Sequence, residues 1–120
     1  MEFRCNDNTI PNAIVREEGD EMAGDPLKIF EMLDPELLKL VGNTRELALT
    51  EGALPKKFKL LIAMALDASH GTIEGVRALA QAAIGAGATK EEITETLRVA
   101  HYISGVGSVY TAAHALKDVF

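Results

Sequence analysis

The 120-residue chain has the length of one domain, and its 48% apolar and 25% charged composition is that of a globular protein, which excludes a disordered or fibrous one. The net charge of −6 is carried by residues 1–51, with 12 acids against 5 bases, while residues 52–120 hold 6 against 7. No basic cluster exceeds Lys56-Lys57-x-Lys59, which excludes nucleic acid as a partner. The longest apolar run, the seven residues from Leu60 to Leu66, is far short of the ~20 that a membrane-spanning helix needs.

The N-terminus, MEFRCNDNTIP, has no basic segment leading into an apolar one, so no secretory signal is expected. Together with a single cysteine, Cys5, this makes the cytoplasm the expected compartment. Residues 1–21 carry the run Arg16-Glu17-Glu18-x-Asp20-Glu21 and only scattered apolar groups. They are expected to form an acidic arm, disordered in isolation or packed on a neighbour, ahead of a helical domain over residues 22–120. Cys5 has no His or Lys beside it in sequence, so it is read as a spectator thiol or as half of a disulfide between subunits.

Helix starts and stops follow in order. Asp25-Pro26 and Asp34-Pro35 each put a capping carboxylate before a proline at the first helical position, predicting helices near 26–33 and 35–49. A third helix is predicted from Pro55 towards His70, with Phe58, Leu61, Ile62, Ala65 and Leu66 on one face and Leu60 and Met64 on the other. A helix apolar all round is expected to be central and buried. Gly71-Thr72 offers a break, and Ile73, Val76, Ala80, Ala83 and Ile84 predict a fourth helix ending at Gly87.

Thr89-Lys90-Glu91-Glu92 has the form of a capping box and opens a fifth helix that runs to about Ser104. After Gly105-Val106-Gly107, a last helix is expected to carry Val109, Ala113, Leu116 and Phe120 on one side. No strand alternation is present, so the fold class is all-α, about six helices. Thirteen alanines between Ala63 and Ala115 favour closely packed antiparallel hairpins.

The segments LPKKFKLLIAMALDASHG and GAGATKEEITETLRVAHYISGVGS, separated by a short alanine-rich helix, resemble the carboxymuconolactone decarboxylase-like family, which includes the D-type alkyl hydroperoxidases. The resemblance spans Leu54 to Leu116. It implies an alkyl hydroperoxidase D-like fold with a central antiparallel helix hairpin, assembled as a homotrimer or homohexamer with sites near subunit contacts. It also implies two catalytic patterns. The redox branch uses a glutamate, a C-x-x-C and a histidine, and this chain has Leu60, Thr72, Gly75 and Leu79 at those places. The decarboxylase branch uses histidines on the fourth and fifth helices, where this chain has Leu79 and Val99.

Other polar residues are therefore the candidates for chemistry. Asp67, His70 and Glu74 are spaced i, i+3, i+7, and on an unbroken helix they would share one face, able to hold a divalent metal or exchange a proton. A break at Gly71 would instead leave them to capping and solvation. His101 on the fifth helix, beside Arg98 and Tyr102, is a candidate acid or base, with Arg98 holding a substrate carboxylate. Alternatively, Arg98 pairs with Glu91 or Glu95 and His101 is an interface residue.

Thr111, His114 and Asp118 read as a solvated face with a His114–Asp118 pair, and Glu74 with Arg77 as another surface pair. The catalytic set is thus expected to be His101, His70 and Asp67, and the substrate-binding set Arg98, Tyr102 and Glu74. No metal and no cofactor are assigned. Three functions stay open: a thiol-independent lyase or decarboxylase acting on a small anionic organic compound, a peroxiredoxin-type alkyl hydroperoxidase, and a non-catalytic oligomeric ligand-binding protein.

Overall fold

The computed structural model describes residues 25–120; the predicted arm and Cys5 lie outside the described residues. Six helices are found among these residues and no strand. By its contacts the chain divides at Ala48/Leu49 into two units.

The described part of the first unit opens with a 3₁₀ turn, Pro26–Ile29, followed by α1, Phe30–Leu33. The Asp25 carboxylate accepts a hydrogen bond from the Leu27 N–H at 2.9 Å, the capping role expected of it. Next comes α2, Pro35–Leu49, which is capped in the same way by Asp34 accepting from the Leu37 N–H at 3.0 Å. No residue of α2 is buried, and Leu37, Leu40, Val41 and Leu47 are exposed.

The second unit holds α3, Lys56–Ser69; α4, Ile73–Gly85; α5, Lys90–Ser104; and α6, Val106–Leu116. The most extensive contact is between α3 and α4, the expected hairpin. Both ends of α4 are set by glycines in the left-handed region. After α3, Gly71 (φ +79°) lets the Thr72 N–H reach the Asp67 carbonyl at 2.9 Å and its own N–H reach that of Ala68 at 3.2 Å. After α4, Gly87 (φ +102°) repeats the pattern, with Ala88 bonded to Ala83 and Gly87 to Ile84. These are Schellman closures, which satisfy the free carbonyls of a helix end and turn the chain sharply.

The predicted capping box opens α5: Thr89 Oγ1 accepts from the Glu92 N–H at 3.0 Å, and the Glu92 carboxylate accepts from the Thr89 N–H at 2.9 Å. Glu92 also meets Lys57 Nζ at 3.1 Å, which ties the start of α5 to the start of α3. The other end of the unit is tied by Arg77 on α4, which meets Asp118, just beyond α6, at 3.1 Å.

The core consists of Leu60, Leu61, Met64, Val76, Ile93 and alanines 68, 80, 83, 88, 112 and 115, flanked by partly buried Leu49, Leu79, Leu97 and Leu116. One expectation is corrected here. Phe58, Ile62 and Leu66 are exposed, so α3 is buried along one side only, through Leu60, Leu61, Met64 and Ala68. In α6 the buried residues are Ser108, Ala112 and Ala115; of the residues expected on one side, Val109 and Ala113, with Phe120 beyond the helix, are exposed and Leu116 packs on the core. Small residues face the core there because the neighbouring axes lie close, leaving no room for larger ones. Among the described residues no helix is long and apolar enough to cross a membrane.

Candidate functional site

The α3–α4 turn interrupts the Asp67, His70, Glu74 series. With α3 ending at Ser69 and α4 beginning at Ile73, the three residues do not share a helix face. Asp67 and His70 remain neighbours at the end of α3, whereas Glu74 forms an ion pair with Arg77. Arg77 also holds Asp118, so the carboxylate read as the partner of His114 is taken by α4. The Arg77 Nε is buried without a hydrogen-bond partner among the described residues.

Asp67 has the most unusual surroundings. Its side chain is part-buried, and among the described residues nothing donates a hydrogen bond to its carboxylate. The carboxylate lies over Gly75 in the first turn of α4. Burial pushes the Asp67 carboxyl above its ordinary value, and the nearby His70 pulls it partly back. A carboxyl placed so holds its proton to higher pH than one in water, as a proton donor working nearer neutrality requires. His70 itself caps α3 through its backbone N–H and keeps its ring exposed.

The second candidate set stands on α5. Arg98, His101 and Tyr102, spaced i, i+3, i+4, share an exposed face, with Tyr102 84% exposed. Arg98 pairs with neither Glu91 nor Glu95 and is without an ionic partner among the described residues. The His101 carbonyl accepts from the Gly105 N–H at 2.9 Å, closing α5. No hydrogen bond or ion pair joins this set to Asp67 and His70 among the described residues, and no trio of His, Cys, Asp or Glu there is grouped to hold a metal ion.

The four positions that the resemblance matches to the redox relay are placed as follows. Leu60 is in the core and Leu79 packs on it, Thr72 precedes the first residue of α4, and Gly75 lies beneath the Asp67 carboxylate. Gly75 is the neighbour of the Asp67 carboxylate that sequence reasoning missed. Its one available signal was a glycine in the first turn of an otherwise strong helix, eight residues after the aspartate.

A model of the carboxymuconolactone decarboxylase family matches residues 35–118. Among solved structures, the chain is similar to the apo form of a carboxymuconolactone decarboxylase family protein from Legionella pneumophila. The two are 37% identical with a TM-score of 0.71, over 76% of this chain and 81% of that one. No curated protein matches the chain.

Proposed function

The chain belongs to the carboxymuconolactone decarboxylase family, and on that premise we propose that it is a thiol-independent, lyase- or decarboxylase-type enzyme with Asp67 as its proton carrier. The supporting observation is the part-buried Asp67 carboxyl, which has no hydrogen-bond donor among the described residues and is raised above its ordinary value. Loss of carbon dioxide from a carboxylic acid leaves an electron pair on carbon, and a carboxyl that holds its proton to higher pH than one in water can deliver it there. His70, exposed beside Asp67, is proposed to return a proton from solvent. Arg98, with no carboxylate partner among the described residues, is proposed to hold a small anionic organic compound, with His101 and Tyr102 on the same face. Glu74, engaged by Arg77, has no part in this reading.

The working form is proposed to be a homotrimer or homohexamer. Phe58, Ile62 and Leu66 on α3 and Val99, Tyr102 and Ile103 on α5 are exposed, and apolar surface on this scale marks an interaction site.

The test is release of carbon dioxide from a panel of small β-keto acids and lactone carboxylates. Asp67→Asn is expected to lower turnover by about 100-fold or more, while Cys5→Ser leaves it unchanged. Full turnover by Asp67→Asn sinks the reading. Exposure of His70, His101 and Arg98 favours a second reading, a non-catalytic oligomer that binds the same class of compound. That reading predicts saturable binding with no turnover. The peroxidase reading is opposed by Thr72 and Gly75, and would be restored by peroxide turnover that Cys5→Ser abolishes.

A further inference from the structure

We propose that Gly75 is a positioning residue: the space left by its missing side chain seats the Asp67 carboxylate against the first turn of α4. The proposal rests on the reading of Asp67 as proton carrier. A Cβ on Gly75 would overlap the Asp67 carboxylate oxygen, lie 2.8 Å from Asp67 Cγ and stand 3.0 Å from the Thr72 methyl. Gly42, Gly85 and Gly107, also within helices, would meet nothing within 4 Å. Nor does the backbone call for glycine here, since the positive-φ glycines are Gly71, Gly87 and Gly105. Glycine is a poor helix former, and at position 75 it stands inside α4. The feature that matches glycine at this position is the space taken by the carboxylate.

The seat has a chemical consequence. Asp67 is a short side chain at the end of α3, and a methyl group at position 75 would turn its carboxylate away from α4 and into water. The carboxyl would then lose the burial that raises it, while His70 stayed beside it on α3. Glu74 would be little affected, being drawn to Arg77.

The test is a carbon-13 NMR titration of the Asp67 carboxyl in the intact chain, assigned by its disappearance in Asp67→Asn. In the unaltered chain the signal is expected to titrate above 3.8, and in Gly75→Ala to move back towards that value with helical circular dichroism retained. The alkaline limb of any turnover profile, where a proton donor is lost, is expected to move to lower pH with it. An unchanged Asp67 titration in folded Gly75→Ala overturns the seat. Since the titration needs no substrate, that failure is distinct from Asp67→Asn retaining turnover, which overturns the enzymatic reading. Should Gly75→Ala fold poorly, its effect on the thermal midpoint is measured again in an Asp67→Ala background. A smaller loss or a gain there supports the seat, and an identical effect in both backgrounds overturns it.

Discussion

Asp67 burdens the folded chain in proportion to its charge. Because burial raises its carboxyl, the folded state binds that proton more tightly than the unfolded state, whose aspartate titrates near 3.8. The contribution of this residue to stability therefore falls as pH rises from 3.8 through the folded value, and the penalty is complete above both. Asp67→Asn should accordingly raise the urea midpoint at neutral pH and leave it nearly unchanged below pH 3.8. A midpoint that fell at neutral pH and was unchanged below pH 3.8 would mean that the carboxylate makes a stabilising contact in the folded chain. Residues that lower stability while charged, with no partner to offset the cost, are found disproportionately at functional sites.

The elements rest on their ends. The capping box of α5 satisfies two otherwise free N–H groups, and Thr89→Ala should cost about 1 kcal/mol, measured by chemical denaturation. The Glu92 carboxyl is held below its ordinary value first by the Thr89 backbone N–H and then by Lys57, so its support is present above 4.5 and is lost as pH falls through the folded value. Glu92→Gln should remove that acid-side dependence.

End signals of this kind are local, which is why the helix boundaries were legible. Asp34-Pro35, Gly71, Gly87 and the Thr89–Glu92 pair each act within a few residues. The buried faces were less so. The shared side of Val109, Ala113, Leu116 and Phe120 was legible from spacing, but not which side of α6 is buried, where close packing takes the small Ser108, Ala112 and Ala115. Of the candidate site, Asp67 and His70 were legible as neighbours and Glu74 with Arg77 as a local i, i+3 pair, but the hold of Arg77 on Asp118 and the approach of the Asp67 carboxylate to Gly75 depend on how α4 packs on α6 and α3.

At the scale of the molecule, the core is built largely from small side chains while many large ones lie outside it. Among the larger apolar side chains, Val99, Tyr102, Ile103, Val106 and Tyr110 are exposed along the end of α5 and the first turns of α6. If self-association covers this surface, the unaltered protein sediments at a multiple of its 12.9 kDa chain mass, and Tyr102→Glu lowers that multiple without loss of helical circular dichroism. Sedimentation of the unaltered protein at 12.9 kDa would refute the assembly.

Both tyrosines of the chain, Tyr102 and Tyr110, are on that surface, and there is no tryptophan. The intrinsic ultraviolet fluorescence of the described residues therefore originates at the outer surface, with no aromatic reporter of that kind in the core. Dilution through a dissociation midpoint should change the emission, whereas heating an already separated subunit should change it little. If the chain self-associates through this surface, its optical melting curve records the parting of subunits, and the loss of the helices has to be followed through the peptide bonds.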